Sequence, residues 1–368
     1  MGALLAVPIL LWLTAQVGSA PSSDFASLSA AAEQARQAGH PVEAIGLLRQ
    51  ALALQPDWKE GLWYLGGLYY GQDNYKGCRE SLQRLVQLEP AGSAGWSMLG
   101  LCDYGAGQYD AALQHLRQGQ KTAQGTTSQI DAVAKYHLAM LLTRGGDYET
   151  ALELYYAMAK AGTAVNDGLL RAAGIAALRR PVLPEQLPAA DRDVAYRAGL
   201  AFWDVSSGKA AKAKTEFEAL AQAYPAVPNV HYFYGSYLLT IDPDQGLLEM
   251  QKELAVSPGH IGALVTLAVE YLRHGDTQHA LPLGTAAVRS APGSFAAHTV
   301  LGRIFVETGA LSKGVAELEQ AKKLAPDSPQ PRIALATAYA KLGRAKEAAR
   351  ERQEFLRLKA LTQNPSER

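Results

Sequence analysis

LALQPDWKEGLWYLGGLYYGQDNY, residues 52–75, and LVQLEPAGSAGWSMLGLCDYGAGQY, residues 85–109, repeat one pattern. In each stretch an apolar segment ends at a proline, and a second segment with regularly spaced apolar residues follows it. Pro56 and Pro90 lie 34 residues apart. The same interval of 33 or 34 residues separates four later prolines, Pro225, Pro258, Pro292 and Pro326. A fixed period of this length indicates a repeat architecture.

Each period contains two amphipathic segments with helical spacing. In the unit that begins at Ile261, apolar residues recur at helical intervals, and Gly275 is placed to end the first helix. A second apolar face follows, and Pro292 excludes further helix. The repeat therefore predicts a helix, a turn and a second helix in every unit.

These units resemble the tetratricopeptide repeat family, whose first helix carries Trp-x2-Leu-Gly-x2-Tyr. Trp96, Leu99 and Gly100 match the opening of that motif, and residues 62–69 match it with Leu62 in the tryptophan position. The resemblance runs from Phe25 to about Ala360. It implies an all-α protein, a right-handed α-solenoid of helix-turn-helix repeats.

One position in successive first helices is always small. It is occupied by Gly66, Gly100, Ala139, Ala201, Gly235, Ala268, Gly302 and Ala336. Close helix crossings need small side chains, and each glycine costs up to about 1 kcal/mol of helix propensity against alanine. Packing between helices has to offset that cost, so a single unit is not expected to be stable alone.

The repeats divide the chain into several predicted regions. Residues 21–163 form four units, residues 164–193 form a degenerate half-repeat with a proline-rich joint, and residues 194–361 form five units with a capping helix. A frayed tail is expected at 362–368. In the joint, three prolines replace the second helix of the fifth unit, and the segment serves either as a structural joint, which we favour, or as a functional loop with Arg179, Arg180 and Glu185.

The first residues differ from the repeats. Residues 1–20 have an apolar core too short to span a bilayer comfortably and small residues near Ala20, which is typical of a signal peptide. A membrane anchor and a misassigned start are the alternatives. We expect an exported protein, periplasmic or secreted, with membrane attachment only through this segment if it is not cleaved.

Composition and cysteine usage limit the function. Lys+Arg and Asp+Glu number 35 each, and no basic stripe with interleaved aromatic residues is present, so nucleic acid is not expected as a partner. Cys78 and Cys102 are the two cysteines of the chain. We expect them to be small buried residues, although in an exported protein they could pair.

No catalytic or metal-binding motif is present in the sequence. The nucleophile elbow, the phosphate-binding loop and the His-Glu-x2-His motif are all missing. His274, Asp276 and His279 form the closest histidine group, but the two histidines are five residues apart and are interpreted as solvated loop residues. We expect no catalytic residue, no metal site and no cofactor.

The family resemblance implies that the first helices line a concave groove, with ligand contacts from the second, fifth, ninth, twelfth and thirteenth residues of each unit. Carried over by position, the candidate partner-binding residues are Trp63, Tyr70, Tyr104, Tyr136, Met140, Arg144, Phe202, Tyr232, Arg273, Arg303 and Lys341. The early units lack the charges of chaperone-tail binders at Glu60, Trp63, Gly67 and Leu101. The aromatic residues suit an apolar or amphipathic peptide.

The sequence therefore predicts a non-catalytic scaffold that binds a protein or peptide segment in its groove. The alternative is an enzyme or enzyme-accessory subunit that recognises glycans or peptides through the aromatic groove, which turnover on a glycan or peptide panel would reveal.

Overall fold

The computed structural model describes residues 23–123 and 129–363 of the chain. The signal-peptide-like segment 1–20, the loop expected at Gly125–Ser128 and residues 364–368 of the expected tail lie outside the described residues. Within the described ranges the regular elements are helical, and none of these helices has both the length and the apolar character needed to cross a membrane.

Nineteen α-helices occur in the described residues. Their bounds are α1 Ser23–Gln37, α2 Pro41–Leu54, α3 Lys59–Gly71, α4 Tyr75–Leu88, α5 Ser93–Gly105, α6 Tyr109–Thr122, α7 Gln129–Arg144, α8 Tyr148–Lys160, α9 Asp167–Ala177, α10 Arg192–Ser206, α11 Ala210–Ala223, α12 Val230–Leu238, α13 Pro243–Val256, α14 Ile261–Arg273, α15 Thr277–Ser290, α16 Phe295–Glu307, α17 Leu311–Leu324, α18 Pro329–Lys341 and α19 Ala345–Gln363. The chain separates into two compact units, unit 1 (Met1–Ala210) and unit 2 (Ala211–Arg368). The predicted all-α repeat fold is confirmed.

The small residues of the first helices lie at helix crossings, as predicted. A Cβ atom added to Gly100 would lie 2.6 Å from Cγ of Leu116, and one added to Gly302 would lie 2.6 Å from Cγ of Leu318. Gly275 ends α14 with a φ of 74°, a left-handed conformation that glycine adopts without steric cost. The repeat is therefore built by second-helix leucines that pack against first-helix glycines.

The proline-rich segment does not leave the fifth unit without a second helix. Two short 3-10 turns, Pro184–Gln186 and Ala189–Asp191, lead into α10, which packs along α9. A Cβ atom on Gly174 would lie 1.7 Å from the carbonyl oxygen of Ala195. One on Gly199 would lie 1.8 Å from that of Leu170. The α9–α10 pair is thus in backbone contact, so that α10, where we expected the next unit to begin at Val194, packs directly against α9.

A disulfide joins consecutive repeats of unit 1 and corrects the expectation of unpaired cysteines. Cys78 on α4 is bonded to Cys102 on α5, with Cα atoms 6.0 Å apart. The next residue on each helix adds an ion pair, since Arg79 Nε donates to the buried carboxylate of Asp103. His115 Nδ1 lies 2.6 Å from the other oxygen of Asp103. Helical periodicity gave no sign of this pairing because both cysteines occupy positions that suit small buried residues.

In three repeats of unit 2 the consensus tryptophan position carries a polar residue that connects the two helices of the repeat. His298 Nε2 donates to the Pro292 carbonyl at 2.9 Å, and His298 Nδ1 lies 2.6 Å from Glu317 Oε2. His231 makes the same two contacts with Pro225 and Glu249, at 3.0 and 2.6 Å. Arg332 does so with Pro326 and Glu351. We call these the polar ties; in unit 1 the Trp96 indole makes the equivalent bond to the Pro90 carbonyl.

Candidate functional site

A groove in unit 2 runs between three first helices, α14, α16 and α18. Its volume is about 510 Å³, within the usual range for ligand sites. The residues that line it are Leu272, Thr299, Arg303, Val306, Glu307, Gln330, Ile333, Ala334 and Thr337. Ile333 is the largest apolar side chain among them with substantial exposure, at 39%. The groove therefore combines an apolar wall with polar groups on the same surface.

The positively charged side chains predicted for this groove differ in whether a carboxylate is paired with them. Lys341 Nζ lies 3.4 Å from Glu307 Oε2, and Arg273 pairs with Glu270 on its own helix. Arg303 has no ion-pair partner among the described residues. Of the three predicted cations, Arg303 is therefore the one whose guanidinium is available to a ligand, and it lies in the groove wall. Arg273 and Lys341 neutralise neighbouring carboxylates.

Several residues that line the groove occupy repeat positions where the family resemblance places ligand contacts. Gln330 and Ile333 are the second and fifth residues of the last unit. Leu272 and Val306 are the twelfth residues of their units, and Glu307 is a thirteenth residue. These five residues are not among the candidates selected from the sequence. Partner contacts at these positions stay a prediction.

The first helices of unit 1 present a different surface. The hydroxyl of Tyr104 donates to Glu185 Oε1 at 3.0 Å, a contact that spans 81 residues of sequence. The Tyr104 and His137 rings meet edge to face with centroids 4.6 Å apart, and the Tyr136 and His137 centroids are 5.3 Å apart. Two candidate residues, Tyr104 and Tyr136, are therefore engaged by other groups of the same chain.

Burial and the Glu185 carboxylate control protonation in this cluster. Burial first, and then the negative charge of Glu185, raise the pKa of Tyr104 well above its ordinary value. The same two causes raise the pKa of Tyr136, with Arg171 acting in the opposite direction. Burial lowers the pKa of His137. The phenols are consequently neutral hydrogen-bond donors at physiological pH, and none is prepared to act as a general base.

The remaining candidates contribute packing or surface contacts. Met140 is 4% exposed and lies in the core of unit 1, so it cannot reach a ligand in this conformation. Arg144 lies over the ring of Tyr109, 4.9 Å from its centroid. Trp63, Tyr70 and Phe202 are half-buried against core residues. In unit 2, the rings of Tyr232 and His260 are 4.4 Å apart. Partner contacts by these residues stay a prediction.

The described residues hold no group of three or more His, Cys, Asp and Glu side chains arranged to bind a metal ion. His279 Nδ1 lies 2.6 Å from Asp276 Oδ2, and the backbone N–H of His279 donates to Asp276 Oδ1. This backbone bond, followed by the side-chain contact, lowers the pKa of Asp276. The pair caps helix α15, which is a structural role.

Comparisons with known proteins place the chain in a family. Tetratricopeptide repeat models match residues 35–102, residues 97–166 and 265–329, and residues 329–354, which together span more than half of the chain. No curated protein sequence matches the chain.

Among solved structures, MamA 41-end from Desulfovibrio magneticus RS-1 is 21% identical, with coverage of 45% of this chain and 95% of that chain and a TM-score of 0.41. Yeast Tom70 is 12% identical, with coverage of 91% of this chain and 85% of that chain and a TM-score of 0.36. The repeat matches and the helix-pair architecture agree: the chain belongs to the tetratricopeptide repeat family, whose repeats support a role as a protein-interaction scaffold.

Proposed function

We propose that this protein is a non-catalytic scaffold that holds an extended segment of a partner protein in the groove between α14, α16 and α18. The observation that carries the proposal is the groove itself, about 510 Å³ lined by residues from three successive repeats. An extended peptide crosses such a surface and contacts each repeat in turn.

The side chains of the groove favour an amphipathic segment. Ile333 offers exposed aliphatic surface beside the buried Leu272 and Val306, and burial of such surface drives association. Arg303 offers a guanidinium that can take a carboxylate or a backbone carbonyl of the bound segment. The lining contains no nucleophile paired with a base, so capture without chemistry is the activity that the groove supports.

We also infer that the protein works outside the reducing cytoplasm. Disulfides persist in oxidising compartments, and the Cys78–Cys102 bond agrees with the signal-peptide-like character of residues 1–20. N-terminal sequencing of the mature protein tests this inference, and a cytoplasmic protein that retains Met1 would contradict it.

Photo-cross-linking tests the binding site directly. A benzophenone side chain placed at Thr337, in the groove, is expected to cross-link to a discrete partner segment in the native host. The matched control carries the same side chain at Leu248, an exposed position on the second helix α13. Equal cross-linking of the same partner from both positions, or cross-linking from Leu248 alone, would contradict the proposal.

A further inference from the structure

The proline-rich segment of unit 1 lies against the surface where the sequence predicts ligand contacts. Glu185 accepts the hydrogen bond of Tyr104, and its charge also reaches Tyr136 and His137. Tyr104 and Tyr136 occupy the twelfth and fifth positions of their repeats, which are ligand-contact positions in the family resemblance. A segment of the chain therefore takes contacts that an external peptide would otherwise make.

The segment also has the form of a bound peptide. It reads RRPVLPEQLPAAD at residues 179–191, and its three prolines exclude an α-helix, so that it forms the two short 3-10 turns, Pro184–Gln186 and Ala189–Asp191. Leu183 is fully buried in the core cluster that contains Leu101 and Leu138. Two residues later Glu185 meets Tyr104. Leu183 and Glu185, two positions apart, therefore both contact the same part of unit 1.

The ends of the segment are fixed by contacts of its own. Arg180 pairs with Asp191 at 2.5 Å, which closes the loop at its base. The backbone N–H of Leu183 donates to the side-chain oxygen of Gln186 at 3.1 Å. These contacts hold the segment in shape, so its attachment to the Tyr104 surface costs little further entropy.

We propose that residues 181–187 are a built-in ligand of unit 1, which occupies its binding surface and excludes external segments of the same chemistry. That chemistry is a proline-rich peptide with a short 3-10 turn, in which a leucine is followed two residues later by a carboxylate. A tethered occupant acts at an effective concentration on the order of millimolar, so a free peptide at micromolar concentration cannot displace it. The inference concerns unit 1 and is independent of the unit 2 groove.

A peptide supplied in trans tests the proposal. In the variant protein, residues 181–190 are replaced by a Gly-Ser linker of the same length, so that Arg180 and Asp191 remain. The probe is a fluorescent synthetic peptide of residues 179–191, and the matched control peptide carries Glu185→Lys. The linker variant is expected to bind the probe, while the natural chain does not. The control peptide is expected to bind about tenfold more weakly, since it loses a hydrogen bond to a charged group.

Two outcomes of this experiment would overturn the proposal. One is a linker variant that keeps its helical circular dichroism but does not bind the probe. The other is a linker variant that loses the helices of unit 1, because the segment would then be required for the fold of unit 1 and would not be a replaceable occupant of its surface.

A point variant provides a second measurement in the full chain. Glu185→Lys leaves Leu183 in place and is expected to raise amide hydrogen exchange of residues 183–187 about tenfold. Glu80→Lys, at an exposed position on α4, is the matched control and should leave that exchange unchanged. Equal exchange in the two variants would mean that the Tyr104 contact does not hold the segment, and the proposal would be wrong.

Discussion

Unit 1 and unit 2 use the same repeat but connect their helices by different chemistry. In unit 1 a disulfide and the Arg79–Asp103 pair join α4 to α5, and backbone contact joins α9 to α10. In unit 2 the polar ties connect first and second helices within three repeats. The difference shows that the repeat fixes where helices cross, while the groups that reinforce each crossing vary freely.

The two units also differ in what covers their ligand-contact positions. In unit 1, Tyr104 bonds to Glu185 of the proline-rich segment. In unit 2, the groove between α14, α16 and α18 leaves Arg303 and Ile333 exposed. Ligand-contact positions can therefore be closed by the chain itself in one unit and open in the other.

The largest expected effect concerns the α9–α10 contact. Gly174→Ala places a Cβ atom against the backbone of Ala195, which cannot move without separating the helices, and we expect a loss of about 3 kcal/mol or more in the free energy of unfolding of unit 1. Hydrogen exchange of α9 and α10 measures the loss. Gly67→Ala is the control: its Cβ would meet nothing within 4 Å, and it should stabilise α3 by up to about 1 kcal/mol. Similar effects of both substitutions would disprove the close contact.

The disulfide should matter to unit 1 alone. Replacement of Cys78 and Cys102 by alanine is expected to cost about 2–4 kcal/mol in the opening of α4 and α5. Exchange in α14 to α18 should not change, because those helices belong to unit 2. A reductant should reproduce the loss in the natural chain and have no effect on the double variant. If reductant leaves the natural chain unchanged, the two cysteines are not paired.

Removal of a polar tie is expected to lower the stability of unit 2 and to leave unit 1 unchanged, the opposite of the effect of removing the disulfide. Glu317→Gln removes the charge that faces His298 and should cost about 1–3 kcal/mol in the opening of α16 and α17, with unit 1 unaffected. The double substitution with His298→Leu should cost less than the sum of the single effects, because the two side chains interact. Strict additivity of the two substitutions would show that the tie contributes nothing.

The sequence predicts features that depend on neighbouring residues better than contacts between residues that are distant along the chain. Pro56, Pro90 and Gly275 place helix ends because their backbone chemistry is local. The Cys78–Cys102 bond and the Tyr104–Glu185 contact are not local, since helical spacing is satisfied equally well with or without them. The α9–α10 contact is not predicted for a related reason: three prolines exclude an α-helix at 181–188, but they do not show that α10 packs against α9.

The candidate site was predicted with similar limits. Arg303 is a candidate because its position and its charge both point to a ligand contact, and it lies in the groove wall. Met140 occupies an equivalent position, yet its side chain packs into the core of unit 1. Which way a side chain turns at such a position depends on its neighbours in the adjacent repeat, and a single sequence does not specify that choice.

The smallest expected effect is a pH dependence of unit 2. Burial, followed by the hydrogen bond to Glu319, raises the pKa of Tyr339 to about 12. The native state therefore holds a proton that the unfolded state loses from about pH 10, so the stability of unit 2 should fall as pH rises from 10 to 12. Tyr339→Phe should reduce this fall, and ultraviolet titration of tyrosinate checks the shift. A measured pKa near 10 for Tyr339 would contradict the predicted shift.

The open groove of unit 2 is the central claim, and one affinity measurement tests it most directly. Ile333→Arg places a second positive charge and a larger side chain in the groove, whereas Leu248→Arg makes the same kind of change on an exposed residue of α13. With the partner identified by cross-linking, the account predicts that Ile333→Arg weakens binding at least about tenfold, the equivalent of one lost anchor contact, while Leu248→Arg binds like the natural chain. Unchanged binding by a folded Ile333→Arg variant would contradict the account.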